Sequence, residues 1–193
     1  MNRARLVLMI SGGGRTALNI ADEIDNGNLD AEIAMVIASR ECVGAERCRD
    51  RGLNVLVERG VLPSDWLGEV LQMAEADLVC LAGYLKLLPI PAGWEGRILN
   101  IHPALLPTFG GPGMYGDRVH QAVLEAGEQI SGCTVHLCTD EFDRGPIVVQ
   151  RTCPVLPDDT PETLAARVFE QECIAFPEAI RITLRNLARN ADA

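Results

Sequence analysis

Residues 5–18 read Arg5-Leu6-Val7-Leu8-Met9-Ile10-Ser11-Gly12-Gly13-Gly14-Arg15-Thr16-Ala17-Leu18, and the fold class turns on them. The continuous apolar run predicts a strand over Arg5–Ser11 that is buried on both faces. Beyond the glycines, a helical pattern over Ala17–Asp25 ends at Asn26-Gly27-Asn28. A strand that passes through a tight turn into a helix is the opening unit of a parallel α/β sheet. The turn itself is informative. One glycine suffices for a strand-to-helix turn, whereas three let the backbone approach a ligand closely and leave helix N–H groups open to an anion. Ser11 to Thr16 is therefore a candidate phosphate site. It is neither a Walker A loop, because no Gly-Lys-Ser/Thr follows, nor a clean G-x-G-x-x-G fingerprint.

Moving outward, the alternation continues. Ala31–Ala38, Asn54–Val57, Asp77–Ala82 and Arg97–His102 are predicted strands, and Gly44–Arg51 and Pro63–Ala74 are predicted helices. Gly132–Thr139 and Ile147–Val155 read as longer strands that can pair as a hairpin at one sheet edge. The predicted architecture is α/β, an open, mostly parallel twisted sheet with helices on both faces and a C-terminal antiparallel edge. With neither repeat nor linker, the 193 residues are read as one domain. The last helix starts with Thr160 as cap, Pro161 at the first position and Glu162 at the positive dipole end. Its apolar stripe runs through Ala165, Val168, Phe169 and Phe176, and Pro177 is expected to end or kink it. Glu172 falls on that stripe, where a carboxylate needs a polar partner.

Composition narrows the function classes. The formal net charge is −10, and the 16 arginines and single lysine, Lys86, are scattered. A nucleic-acid surface needs a dense basic stripe, so none is expected. The apolar run before Ser11 is too short to span a membrane and lacks a signal-peptide cleavage pattern. Seven cysteines without a CxxC pair are read as reduced packing residues, implying a cytoplasmic protein with no metal and no disulfide.

Three further segments can carry chemistry. In Asn100-Ile101-His102-Pro103, residues two apart on a strand project from one face, so Asn100 and His102 point together while Ile101 enters the core. Pro103 stops the strand there, at the carboxyl edge where open α/β sheets bind ligands. An amide donor beside an imidazole can hold an oxyanion and deliver a proton; a satisfied polar pair at a strand end is the competing reading. The acidic loop Asp140-Glu141-Phe142-Asp143-Arg144-Gly145-Pro146 would matter if a carboxylate reached His102 and raised its pKa; taken alone it reads as a solvated turn. Leu81 to Leu88 leaves the fourth strand through Gly83 and puts apolar groups where a flat heterocycle would lie. His120 and His136 carry no assigned role, His136 reading as a packed strand residue.

Together these segments resemble the folate-dependent formyltransferases. Asn100 to Pro107 is similar to their N-I-H-P-S-L-L-P signature, and Asp140 to Pro146 to their D-E-x-D-x-G-P loop. Leu81 to Leu85, Gly113-Met114-Tyr115-Gly116, Gly132 to His136 and Asp158-Asp159-Thr160 fit the phosphoribosylglycinamide formyltransferase branch, over about residues 5–182. The resemblance implies formyl transfer from the co-substrate 10-formyltetrahydrofolate to the amine of phosphoribosylglycinamide, without a metal, by a monomer or homodimer. It implies that Asn100 holds the formyl oxygen, His102 donates a proton and Asp143 sets the charge of His102. It puts the acceptor's phosphate on Gly12, Gly13, Gly14, Arg15, Thr16, Ala17 and Leu18, and the acceptor's ribose or amine on Glu172. It puts the folate head between Leu85, Lys86, Leu87 and Leu88 and Thr139, Asp140, Glu141, Phe142 and Asp143, with Asn100. Relatives often carry Asn and Ser-Asn where this chain has Gly13 and Arg15-Thr16. The segment from Glu58 to Trp66 is shorter than in relatives that place an arginine there for the folate's glutamate tail.

The acidic balance and the end at Ala193 argue against the tRNA-formylating branch, which carries a further C-terminal domain. A formyltetrahydrofolate hydrolase, which usually has an N-terminal regulatory domain, and a non-catalytic sugar-phosphate module are the alternatives. The module would need only the glycine turn and leaves Asn100, His102 and Asp143 without a purpose.

Overall fold

In the computed structural model, which describes residues 3–191, the opening unit forms as the sequence predicts. Strand β1 (Ala4–Ile10) leads through the glycines into α1 (Arg15–Asp25). There follow β2 (Ala31–Ala38), α2 (Val43–Asp50), β3 (Val55–Val57), α3 (Ser64–Met73), β4 (Leu78–Leu81) and β5 (Ile98–His102). The chain continues through α4 (Asp117–Glu125), β6 (Ile130–Leu137) and β7 (Ile147–Pro154) into α5 (Pro161–Ala191). One seven-stranded sheet has the order β3-β2-β1-β4-β5-β6-β7. The first five strands pair in parallel, and β6 and β7 run antiparallel at one edge.

The period of two along β1 builds both cores. Leu6, Leu8 and Ile10 enter one apolar cluster with Ala17 and Ile20 of α1, Ala45 of α2, Val123 of α4 and Phe176 of α5. Val7 and Met9 enter the other, with Leu67 and Leu71 of α3 and Trp94. A sheet covered on both faces needs the near-continuous apolar strands that the sequence supplies. Cys133 packs in the first cluster and Cys138 against the second, and all seven cysteines are unpaired. The strand order, not the chain direction, reverses between the parallel neighbours β1 and β4, so the glycine turn after β1 and Gly83 after β4 open onto the same crevice. Ser11 N–H donates to the Gly83 carbonyl at 3.0 Å, joining the two turns.

Three features depart from the expectations. Helix α4 is not among the predicted elements; its core-facing positions Val119, His120 and Val123 cover little more than one helical turn, too short for a 3.6-residue repeat to stand out. The inward stripe of α5 starts at Leu164, not Ala165, and continues through Val168, Ala175, Phe176, Ala179 and Ile180, leaving Phe169 at its rim. Pro177 does not end α5, which runs on to Ala191. Proline has no N–H for the Cys173 carbonyl one turn back. Asn19 Nδ2 of α1 donates to that carbonyl at 3.1 Å instead. The start of α5 is as expected, with Thr163 N–H donating to Thr160 Oγ1 at 3.3 Å. Among the described residues no helix is long and apolar enough to cross a membrane.

Candidate active site

The antiparallel register of β5 and β6 gathers the polar groups. Asn100 pairs with His136 and His102 with Thr134, and directly opposed residues share a face. Asn100, His102 and His136 therefore project together from the carboxyl end of β5. The fourth group comes from the loop between β6 and β7, where Asp143 adopts φ 56°, a left-handed conformation that aspartate tolerates better than most residues. Gly110 admits it: a Cβ there would lie 2.5 Å from Leu106 Cδ2 and 3.2 Å from Asp143 Cβ.

Asp143 is the hub. Its Oδ2 accepts from Gly111 N–H at 2.8 Å and lies 3.5 Å from His102 Nδ1. Its Oδ1 accepts from Asn100 Nδ2 at 3.3 Å and lies 3.4 Å from His136 Nε2. Burial alone would raise the Asp143 carboxyl, but His136, His102 and the Gly111 N–H together hold it below the usual carboxylate range. His102 is 3% exposed. Burial pushes its imidazole below the ordinary value against the pull of Asp143 and the Phe109 carbonyl. Asp143 does pull the imidazole upward, as expected, but desolvation of the ring outweighs a carboxylate 3.5 Å away and the net shift is downward. Because the Phe109 carbonyl, 2.8 Å from Nε2, can only accept, Nε2 carries the hydrogen and Nδ1 faces Asp143.

Two cavities meet at this cluster. The larger, about 270 Å³, is lined by Thr16, Leu85, His102, Met114, Tyr115 and Glu172 among others. The smaller, about 40 Å³, is lined by Leu81, Lys86, Leu87, Leu88, His136, Cys138, Thr139 and Glu141. Tyr84, Asn100, Phe142 and Asp143 line both and form the wall between them. Beyond the smaller cavity, an open apolar groove continues along Gly60, Val61, Leu87, Leu88 and Pro89, with Asp140 at its edge. Lys86 donates its Nζ to the Gly60 carbonyl.

Of the turn and the helix start, Thr16 alone lines the larger cavity; Gly12, Gly13, Gly14, Arg15 and Ala17 lie outside its lining. Gly14 sits at φ 71° and packs on Gly44, where a Cβ would come within 2.7 Å of the Gly44 Cα. A methyl group at Gly12 or Gly13 would have no neighbour within 4 Å, so both positions face open space. The N–H groups of Arg15, Thr16 and Ala17 have no backbone partner among the described residues, whereas Leu18 N–H donates to the Gly14 carbonyl at 3.0 Å. Leu18 is therefore removed from the anion-facing set: its amide is already in the helix ladder. Leu85 lines the larger cavity and Lys86, Leu87 and Leu88 the smaller, with the Leu85 N–H donating to Ser11 Oγ at 3.1 Å. Asp140 borders the outer groove instead of the smaller cavity. Glu172 lines the larger cavity with no hydrogen-bond partner among the described residues, and burial raises its carboxyl to about 7 against the pull of Arg15.

Sequence reasoning missed His136, which is 2% exposed and part of the cluster. The pairing of β6 with β5 would have found it, because cross-strand partners share a face. It also left Tyr84, Met114 and Tyr115 unassigned as cavity walls.

Comparison with known proteins gives one consistent result. The formyl transferase family matches residues 4–180. The chloroplastic phosphoribosylglycinamide formyltransferase of Arabidopsis thaliana is 41% identical over 189 residues, covering 92% of this chain and 64% of its own length. The chain thus spans less than two thirds of that relative. The solved glycinamide ribonucleotide transformylase 1 from Symbiobacterium toebii superposes with a TM-score of 0.87 at 37% identity, over 96% of this chain and 89% of that one. Phosphoribosylglycinamide formyltransferase from Brucella melitensis gives 0.84 at 39%, over 94% and 96%.

Proposed function

The chain belongs to the formyl transferase family, and from that premise we propose that it moves the formyl group of 10-formyltetrahydrofolate onto the amine of N1-(5-phospho-D-ribosyl)glycinamide. The products are formylglycinamide ribonucleotide and tetrahydrofolate, a step of purine nucleotide synthesis. The whole chain acts as one formyltransferase domain with its core at about residues 5–182, in the cytoplasm, on small molecules, as a monomer or homodimer.

A single observation carries the reading: two cavities of different character share a wall at Asn100 and Asp143. A two-substrate transfer needs that arrangement, with the reacting atoms meeting where the compartments touch. The smaller, mostly apolar cavity suits the flat folate head, between Lys86 to Leu88 and Thr139 to Asp143. The larger one runs from the cluster to Thr16 on the first turn of α1 and to Glu172, which suits an acceptor with an amine at one end and a phosphate at the other. The amine attacks the formyl carbon, and Asn100 Nδ2 and His102 Nε2–H stabilise the oxyanion that forms. Both donors are engaged within the protein, by His136 with Asp143 and by Phe109, so the formyl oxygen must displace one of these contacts. Asp143, held ionised, draws the amine proton away through water. The oxyanion then collapses to the new amide, the bond from the formyl carbon to the folate nitrogen breaks, and that nitrogen takes up the relayed proton to leave as tetrahydrofolate. The donors are side chains, so this chemistry requires no metal.

The test is turnover of purified protein with 10-formyltetrahydrofolate, with and without N1-(5-phospho-D-ribosyl)glycinamide, following the formylated amide by mass spectrometry. Product only when both are present is the expected result. Folate consumption without acceptor would identify a hydrolase, and no turnover in either arm a sugar-phosphate-binding module.

A further inference from the structure

Residues 109–116 read Phe109-Gly110-Gly111-Pro112-Gly113-Met114-Tyr115-Gly116. They line the larger cavity through Gly111, Gly113, Met114, Tyr115 and Gly116. Among the described residues, two hydrogen bonds tie this loop to the body of the protein. His102 Nε2–H donates to the Phe109 carbonyl at 2.8 Å, and Gly111 N–H donates to Asp143 Oδ2 at 2.8 Å. The loop's other hydrogen bonds are local, from Met114 N–H to the Gly111 carbonyl and from Val119 N–H to the Gly116 carbonyl, both at 3.1 Å. A wall of the larger cavity is thus fastened at His102 and Asp143.

The fastening at His102 is strained. Phe109 sits at φ 54°, a left-handed conformation that a bulky side chain rarely adopts. Its ring packs at the edge of the first core cluster and holds the backbone there. The His102 ring is meanwhile pinned at both nitrogens, Nε2 by Phe109 and Nδ1 beside Asp143 at 3.5 Å. Turning the ring to aim Nε2–H at a formyl oxygen would give up both contacts. Moving the loop gives up one and relieves the strain at Phe109.

Resting on the formyl-transfer reading for the identity of the acceptor, we propose that Phe109 is a positioning residue that caps His102 until the acceptor is in place. Its carbonyl occupies the Nε2–H that the developing oxyanion needs, and the loop withdraws it when the acceptor fills the larger cavity. The acceptor shifts the loop only by binding the withdrawn state more tightly, which its contacts with Met114 and Tyr115 supply. The cap protects the folate. Without acceptor, water can attack the formyl carbon in place of the amine, the carbon–nitrogen bond breaks, and formate and tetrahydrofolate result. That route needs the same oxyanion donors, and the cap withholds one of them.

Two measurements test this. In the first, nitrogen–proton NMR follows the His102 Nε2–H, which substitution assigns readily in a chain with three histidines. Adding N1-(5-phospho-D-ribosyl)glycinamide alone should move that signal away from its hydrogen-bonded position. A signal that stays in place at saturating acceptor overturns the proposal. In the second, Phe109→Ala removes the ring that holds the strained backbone. Its ratio of acceptor-independent folate consumption to formyl transfer should rise about tenfold, the scale of one freed hydrogen bond. Phe109→Leu, which refills the core edge, should stay near wild type. Gly113→Ala perturbs the loop at an exposed position with φ 86°, where a methyl meets nothing within 4 Å, so it serves even where Phe109→Ala fails to fold. Alanine is disfavoured at that φ, so the loop leaves its resting shape and the ratio should again rise. A wild-type ratio in the folded alanine variants overturns the proposal. If wild type shows no turnover with both substrates but the acceptor still moves the Nε2–H signal, the formyl-transfer reading falls and the coupling of loop to His102 stands. Turnover with an unmoved signal gives the reverse.

Discussion

Asn100 Nδ2 lies 3.1 Å from His136 Nε2 across the paired strands β5 and β6. His136 Nδ1 lies 2.9 Å from the Leu137 carbonyl, which can only accept, so Nδ1 carries a hydrogen, while Nε2 faces both the Asn100 amide and, at 3.4 Å, Asp143 Oδ1. The contact decides which way Asn100 points: its NH2 side faces the wall between the cavities, and its oxygen faces away from Asp143. His136→Leu removes that constraint while keeping the site filled. We expect kcat to fall by roughly tenfold to a hundredfold, the usual scale for losing a group that orients a donor, with acceptor KM little changed. Steady-state kinetics reads both. A KM that rises as steeply as kcat falls would show His136 shaping the cavity rather than aiming the amide.

Asp143 opposes the burial of His102 more strongly than any other group. Neutralising it leaves desolvation unopposed from that side, so His102 should fall further in Asp143→Asn. The limb of the pH–rate profile that His102 sets should then move to lower pH. The rate itself should drop by about 10²–10⁴-fold, as for removal of a general base. Profiles measured on both proteins over the same buffers test this, and coincident profiles would take Asp143 out of the control of His102.

What was legible in the sequence follows from periodicity. Strands and long helices repeat their pattern several times, so β1, β2 and α5 could be read, and Asn100 with His102 followed from spacing alone. The convergence of Asp143 on both rings could not: it depends on a positive φ and on Gly110 lacking a side chain. His136 was hidden for a different reason. Its role comes from an antiparallel register between β5 and β6, and 27 residues of loop and helix separate those strands in the chain. That Leu85 and Lys86 line different cavities was equally out of reach, because successive residues of an irregular segment need not face the same side.

Within the glycine turn, glycines packed against main chain differ from glycines that face open space. Gly14 lies at φ 71° against Gly44, and a Cβ on Gly44 would lie 2.5 Å from the Gly12 carbonyl oxygen. Gly14→Ala and Gly44→Ala should each cost about 2 kcal/mol or more, from backbone strain and a clash with main chain that cannot retreat. Gly13→Ala meets nothing within 4 Å and should change stability by less than about 0.5 kcal/mol. It should nevertheless raise the acceptor KM, because the methyl stands where the phosphate approaches. Urea unfolding together with acceptor KM checks both halves. Normal acceptor binding in Gly13→Ala would remove the turn from the acceptor site.

Buried imidazoles set the acid limit of stability. Burial lowers both His102 and His120 below 6.5, and His120 Nδ1 has no hydrogen-bond partner among the described residues. Below about 6.5 the unfolded chain therefore binds protons that the folded one refuses. Stability should be complete above that pH and decline as pH falls through the folded values, before carboxylates such as Asp143 contribute. The unfolding midpoint should be flat from about pH 8 to 7 and fall between about 6.5 and 5. His120→Gln, which cannot titrate, should make the decline shallower. An unaltered slope would mean that His120 gains its proton equally in both states.

The continuation of α5 through Pro177 makes a claim about a single hydrogen bond. Pro177 leaves the Cys173 carbonyl without its helical donor, and Asn19 Nδ2 of α1 supplies one at 3.1 Å. Asn19→Ala should cost about 1–2 kcal/mol, because a partly buried acceptor is stranded. The packing that Asn19 contributes on its own would give a similar figure, so the single variant does not discriminate. The double-mutant cycle with Pro177→Ala does. Alanine restores an N–H to the helix ladder, so the Cys173 carbonyl regains its own partner and Asn19 becomes dispensable. In the Pro177→Ala background the cost of Asn19→Ala should therefore fall to about half or less of its value in wild type. Equal costs in the two backgrounds would mean that the contact is incidental and that the helix tolerates its proline by some other means.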